Sequence, residues 1–166
     1  GISSDSFDQA VRVNVGGDVA LTEEMRDKGI GLLTSVKTST YYMGFNLLDP
    51  VVGGLSPRST RLRQAISIAI DQEEYISIFS NGRGIAAQGP LPPGIFGYED
   101  GEQGIDGAVY DWVDGKPQRK PVEVARKLMI EAGYPNGRDE KTGEPLVLYL
   151  DTTGGGMGEK SRLDWL

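Results

Sequence analysis

A glycine-rich segment near the end of the chain, TGGGMGEKS at residues 153–161, is the stretch most similar to a nucleotide-binding loop. A G-x-x-x-x-G-K-[ST] loop cradles phosphates with its backbone amides when it lies between a strand and a helix. Counting five residues on from Gly154 reaches Glu159, where the pattern requires glycine. A carboxylate there would repel phosphates. The simpler interpretation is a loop before a C-terminal helix, and a nucleotide-binding enzyme domain using residues 154–158 is the alternative.

A second group of chemically active side chains is an acidic stretch that consists of Asp100, Glu102, Asp106, Asp111 and Asp114. Hard cations require several converging oxygen ligands. The spacing does not match the D-x-[DN]-x-[DN]-G pattern of a calcium loop, so we expect a solvated acidic loop and no metal site. Because the chain has no His and no Cys, it also lacks the residues for Ser-His-Asp or Cys-His catalysis and for thiolate metal sites. The sequence therefore predicts no catalytic residue, no metal and no cofactor.

The overall charge of the chain excludes nucleic acid as a partner. The chain of 166 residues has a net charge of -7 at pH 7, so a nucleic-acid backbone would be repelled. Lys and Arg gather only at residues 58–63 and 116–127, both predicted helix surface. No apolar run reaches the length needed to cross a bilayer.

The elements that would position a site begin with YYMGFNLLDP, at residues 41–50. Its alternation is typical of a strand over residues 41–47. We expect Met43 and Phe45 to face the core on the same side as Tyr41. The opposite face carries the candidate site residues, which are Tyr42, Gly44 and Asn46.

Helical spacing and capping signals predict the elements around this strand. Asp71 is expected to end one helix and to cap the next, which Asn81 and Gly82 close. The predicted helices have apolar stripes at Leu62, Ala65, Ile66 and Ala69, at Tyr75, Ile76 and Phe79, and at Val122, Ala125, Leu128, Met129 and Ala132. Further helices are predicted over residues 4–10 and 18–28 and from Glu159 onward, and further strands over residues 30–35 and 146–151.

The long Pro/Gly-rich part between residues 83 and 117 is expected to be functional or mobile. Three prolines in GPLPPG restrict the backbone, so we expect that motif to be extended and ordered. Asn81, Gly82 and Gln88 flank this loop and are minor candidates for a site.

Four sequence words resemble the extracellular solute-binding proteins of peptide and nickel ABC importers. They occur in the family's order and cover about two thirds of the chain, from Ser39 to Leu150; they are YYMGFN, RLRQAISIAID, NGRGIAAQGPLPPGIFGY and VEVARKLMIEAGYPNG. The resemblance implies an α/β fold, a mixed-sheet lobe of the type II periplasmic-binding-protein class. Because the chain begins at Gly1 without Met and ends within a predicted helix, we expect a single domain over residues 1–166, part of the second lobe of a longer protein.

The same resemblance implies a function and a place for the site. Such proteins perform no chemistry; they close two lobes on a peptide or similar small solute outside the cytoplasmic membrane and deliver it to permease subunits. This places the whole protein in the periplasm or outside the cell, with lipid anchoring as an open alternative. In the family, the strand matching residues 41–47 borders the cleft, so Tyr42, Gly44 and Asn46 become candidate ligand-binding residues. The alternative is that Tyr42 packs under the Pro-rich loop, and structural roles are expected for Arg63 and Asp71.

Overall fold

The computed structural model describes residues 4–13, 19–152 and 157–166 of the chain. Within these ranges the helices are α1 (Ser4–Ala10), α2 (Glu23–Asp27), α3 (Pro57–Ala69), α4 (Gln72–Ser80), α5 (Val122–Glu131) and α6 (Met157–Trp165). The strands are β1 (Val11–Val13), β2 (Val19–Leu21), β3 (Tyr110–Val113) and β4 (Lys116–Arg119). They form two antiparallel pairs, β1 with β2 and β3 with β4. Helices therefore combine with small sheets, and the α/β class predicted from the sequence is confirmed.

The core lies between α3 and α5, which make the most extensive contact of any two elements in the described ranges. Leu62, Ala65 and Ile68 are the buried residues of α3, and Ala125 is the buried residue of α5. The predicted stripe on α3 is thus correct at Leu62 and Ala65. It is wrong at Ala69, which is exposed, because the contact continues through Ile68 instead.

Local capping signals determine where α3 and α4 begin. Ser56 accepts a hydrogen bond from the Ser59 amide, with Pro57 in the first turn of α3. Asp71 accepts one from the Glu74 amide at 2.9 Å, and Asn81 takes a left-handed conformation (φ 49°) at the end of α4. These caps satisfy donors and acceptors that a helix end leaves unpaired, and both predicted caps of α4 are confirmed.

Aromatic side chains join α4 to α6 rather than filling the core. The Tyr75 ring lies 4.9 Å from Phe79 and 5.4 Å from Trp165, measured between centroids. No residue of α4 is fully buried, so the buried stripe predicted at Tyr75, Ile76 and Phe79 is only half-buried.

The strands predicted over residues 30–35, 41–47 and 146–151 are wrong, since the structure gives all three segments irregular backbone. The helix predicted over residues 18–28 is reduced to α2, preceded by β2. Conversely, β3 lies in the part predicted to be irregular, and β4 occupies residues 116–119, for which the prediction of helix surface is therefore wrong. The turn of the β3–β4 hairpin consists of Asp114 (φ 50°) and Gly115 (φ 78°), the positive φ pair that suits a two-residue hairpin.

The Pro/Gly-rich loop is folded into turns. The Ile95 amide donates to the Pro92 carbonyl at 3.3 Å, with Gly94 at φ +87° between them. This is the arrangement of a type II turn with proline at its second position and glycine at its third. The prediction of an extended GPLPPG segment is therefore wrong at Pro92–Gly94.

An ion pair fixes the loop after α5 to the start of α3. The Arg58 guanidinium donates to the Asp139 carboxylate at 2.6 Å and to the Ala132 carbonyl at 2.8 Å. The bond from Arg58, with those from the Lys141 and Thr142 amides, lowers the pKa of Asp139 to about 2 from its ordinary 3.8. A depressed carboxylate pKa means that the native state gains stability above the unfolded pKa and loses it as pH falls through the folded one.

We therefore expect the free energy of unfolding to fall between about pH 4 and about pH 2, with a smaller fall in Asp139→Asn. Urea unfolding followed by circular dichroism across this range measures the slope for each protein. Asp114→Asn is the matched control, because Asp114 is an exposed aspartate whose left-handed conformation asparagine also accepts. Equal slopes for wild type and Asp139→Asn would contradict the assignment.

No helix within the described ranges combines the length and apolar character that crossing a membrane requires.

Candidate functional site

Residues 41–46 carry the predicted binding face, and both faces of this segment are exposed. Tyr42 is 86% exposed, Gly44 and Asn46 are also exposed, and a Cβ added to Gly44 would lie 4.0 Å from the Tyr42 ring. Met43, however, is 51% exposed, so the expectation that Met43 and Phe45 face a core is not met. The structure leaves Tyr42 accessible and shows no packing of it beneath the Pro-rich loop.

Asn46 and Asp49 shape the turn that ends this segment. The Asn46 Oδ1 atom accepts a hydrogen bond from the Leu48 amide at 3.0 Å. The Asp49 Oδ1 atom accepts from the amides of Val51 and Val52 at 2.8 and 2.9 Å. Short polar side chains commonly bond to nearby backbone in this way. Asn46 therefore has a structural use in this turn.

Arg63 on α3 holds the same turn from the other side. Its Nη1 atom donates to the carbonyls of Val52 at 2.6 Å and Gly54 at 2.9 Å. Bonds from a charged donor are stronger than neutral ones. The predicted structural role of Arg63 is thus confirmed, and this arginine connects the candidate segment to the core helix.

The described part of the chain also holds a cluster of charged groups that the sequence did not reveal. Arg119 on β4 pairs with Asp71 and donates to the Ile68 carbonyl at 2.8 Å. The Tyr110 hydroxyl donates to Glu73 at 2.9 Å. Burial and this bond raise the pKa of Tyr110, so the phenol remains protonated. Tyr110 is buried, and the cluster fastens the hairpin to α4; the structural role expected of Asp71 is confirmed.

The acidic stretch does not gather its carboxylates around one point. Asp111 pairs with Lys120 at 3.1 Å, and Asp106 accepts from the Ala108 amide at 3.0 Å. Asp100 accepts from the Gly101 amide. No group of three acidic residues in the described ranges is arranged to hold a metal ion.

Two surface cavities lie away from the candidate segment. The larger, about 660 Å³, is open and is lined by Asp8, Val11, Arg12, Val13, Ser77, Asn81 and Gly82. The smaller, about 190 Å³, lies within the Pro/Gly-rich loop. Asn81 donates to Asp8 at 3.4 Å, and Gln88 accepts from the Asp106 amide at 3.2 Å. Asn81 thus connects the end of α4 to α1, and Gln88 connects two parts of the Pro/Gly-rich loop. Neither cavity includes Tyr42, Gly44 or Asn46.

The glycine-rich loop predicted over residues 154–158 lies largely outside the described residues. The helix expected after it is present as α6, which begins at Met157.

Comparison with known proteins gives a match over most of the chain. Residues 9–162 match the family model described as bacterial extracellular solute-binding proteins, family 5 middle. Similar curated relatives include heme-binding protein A of Haemophilus influenzae, which is 28% identical over 146 residues. Di/tripeptide-binding protein 2 of Pseudomonas aeruginosa is 30% identical over 103 residues, and the dipeptide-binding protein of Escherichia coli is 24% identical over 141 residues.

The alignments cover most of this chain but only a small part of each relative. The alignments cover 87%, 62% and 84% of this chain, but only 23%, 16% and 23% of the three relatives in the same order. The chain thus spans less than a quarter of the length of these curated relatives. No solved structure gives a significant match.

Proposed function

Because the chain belongs to family 5 of the bacterial extracellular solute-binding proteins, we propose that it forms part of the substrate-binding component of an ABC importer. The match over residues 9–162 carries this proposal. The match also includes the glycine-rich loop at residues 154–158, which favours solute binding over a nucleotide-binding enzyme. The whole protein binds without catalysing a reaction, outside the cytoplasmic membrane, and passes its solute to permease subunits.

The solute class we propose is a short peptide. Two of the three relatives are named for binding di- or tripeptides, and the third is named for binding heme. An exposed tyrosine close to a glycine suits a peptide, because the ring provides a flat apolar face, the hydroxyl is a donor, and glycine leaves room.

The geometry of the candidate segment supports a contact role for Tyr42 and Gly44. Tyr42 is exposed, so its ring is available to another molecule. Asn46 contributes through its amide nitrogen and through the second acceptor position of its oxygen, since the Leu48 amide uses only one. In a two-lobed binding protein each lobe supplies part of the contacts, so this chain alone is expected to bind peptide weakly.

Titration of the full gene product with dialanine, trialanine and hemin in a calorimeter tests the proposal. We expect saturable binding of a peptide, and Tyr42→Ala is expected to raise its Kd about three- to tenfold, corresponding to about 1 kcal/mol. Tyr149→Ala is the matched control, because Tyr149 is comparably exposed but lies outside the candidate face.

Three outcomes would contradict parts of the proposal. Absence of peptide binding together with hemin binding would refute the solute class. Peptide binding that Tyr42→Ala and Tyr149→Ala affect equally would refute the site. Stabilisation of the protein by millimolar ATP, which at 100 times Kd would amount to about 2.7 kcal/mol, would restore the nucleotide alternative.

A further inference from the structure

The Pro/Gly-rich loop presents a phenylalanine that nothing in the described ranges covers. Phe96 is fully exposed, and Leu91 and Ile95 beside it are also exposed. A single exposed apolar residue is ordinary, but three together on one loop form a patch. We call Leu91, Ile95 and Phe96 the apolar tip.

The apolar tip is held in a defined shape by consecutive turns. The Tyr98 amide donates to the Ile95 carbonyl at 3.0 Å, and Gly97 has φ +90°, the sign that a type II turn requires at its third position. Phe96 therefore occupies the second position of this turn. A Cβ added to Gly97 would lie 3.3 Å from the Leu91 side chain, so the two ends of the loop are in contact. A partner would bind this tip with little loss of backbone entropy, because the tip is already ordered.

An acidic segment follows the tip directly. Glu99, Asp100 and Glu102 are exposed, and none of them forms an ion pair with another described residue. The segment is folded tightly, since a Cβ on Gly104 would lie 2.0 Å from the Glu99 carbonyl oxygen. Because Glu99 is three residues from Phe96, its Cα lies within roughly 10 Å of that of Phe96.

We propose that the apolar tip and this acidic segment together bind a protein partner that carries an apolar pocket bordered by Lys or Arg. Buried anchor side chains dominate interface hot spots, and the rim around them is polar and solvent-accessible. The negative charge of the acidic segment determines which partner can bind. An anionic membrane surface would repel the segment. A second copy of this chain, with net charge -7, would be repelled as well.

Photocrosslinking in the native host tests the proposal with the full gene product. The photoreactive amino acid p-benzoylphenylalanine replaces Phe96, and in the matched control it replaces Tyr149. We expect a discrete adduct with another protein from position 96 alone, lost when Glu99, Asp100 and Glu102 are changed to lysine. The adduct is identified by mass spectrometry and the partner is purified. Phe96→Ser is then expected to weaken its binding at least about tenfold, with an unchanged unfolding midpoint.

Any other result of the photocrosslinking experiment would overturn the proposal. A lipid adduct would assign the tip to a membrane, and an adduct within the same polypeptide or between two copies would show that the protein covers its own tip. No adduct at position 96, equal adducts at positions 96 and 149, or an adduct insensitive to the lysine changes would equally reject it. Peptide titration of the same variants keeps this test separate from the solute-binding role, because we expect peptide binding to be unchanged in Phe96→Ser.

Discussion

Replacing Leu62 with alanine is expected to lower the free energy of unfolding by about 2–5 kcal/mol. Leu62 is 0% exposed and packs with Ala132 and Tyr134 from the end of α5. The same cluster includes Val51, Val52, Ile66, Met129 and Leu146, which are partly buried. Truncation would remove apolar burial and leave a cavity that α3 and α5, packed side by side, cannot readily close.

Urea unfolding followed by circular dichroism measures this loss. Leu55→Ala is the matched control, since Leu55 is 84% exposed and its truncation is expected to change stability by less than about 0.5 kcal/mol. Since Val51 and Val52 belong to the Leu62 cluster, we also expect Leu62→Ala to loosen the turn after the candidate segment. Similar effects from both truncations would show that the α3–α5 contact is not the core.

The sequence predicted the elements that neighbouring residues alone determine. Asp71 caps α4 through the Glu74 amide three residues on, and Asn81 closes the same helix. Such signals are complete within one turn of chain, so no knowledge of the rest of the protein is needed. The β3–β4 hairpin carried an equally local signal, Asp114-Gly115 between two strand-like segments, and was missed because the surrounding Pro and Gly content indicated a loop.

Strand prediction failed at residues 41–47 for a different reason. Alternation specifies which side chains share a face, but a strand exists only when its backbone pairs with another. No described segment pairs with these residues, and Met43 and Phe45 are exposed along with Tyr42. The pattern therefore identified a surface without determining what lies against it.

The candidate site was predictable only in part. Spacing placed Tyr42 opposite Met43 and Phe45, but the structure exposes all three. The use of Asn46 in its own turn depends on the local Asn–Leu–Leu–Asp sequence. The Arg119 bonds to α4 and to Ile68 join residues about 50 positions apart. No sequence period connects such positions. Only the packing of the hairpin on α3 and α4 brings them together.

The turn at residues 47–54 fixes the end of the candidate segment, and Gly53 is the residue it depends on. Gly53 is buried, and a Cβ added there would lie 2.2 Å from the Asp49 carbonyl oxygen and 2.6 Å from that of Leu47. All the clashing atoms belong to the backbone, so no side-chain rotation can relieve them. The Gly53 and Gly54 amides also donate to those two carbonyls, at 3.0 and 2.8 Å. Any added side chain must therefore break the turn.

Gly53→Ala is accordingly expected to destabilise the protein by about 3 kcal/mol or more, at the upper end of overpacking effects. Gly107→Ala is the control, because a Cβ there meets nothing within 4 Å. Urea unfolding compares the two variants, and hydrogen exchange at the Gly53 and Gly54 amides reports on the turn itself. If the turn positions the candidate face, Gly53→Ala also weakens peptide binding by the full gene product at temperatures where it stays folded. If Gly53→Ala were as stable as wild type, with unchanged hydrogen exchange at these amides, the turn after Asn46 would not have the described conformation. The exposed position of Tyr42 before this turn would then also be in question.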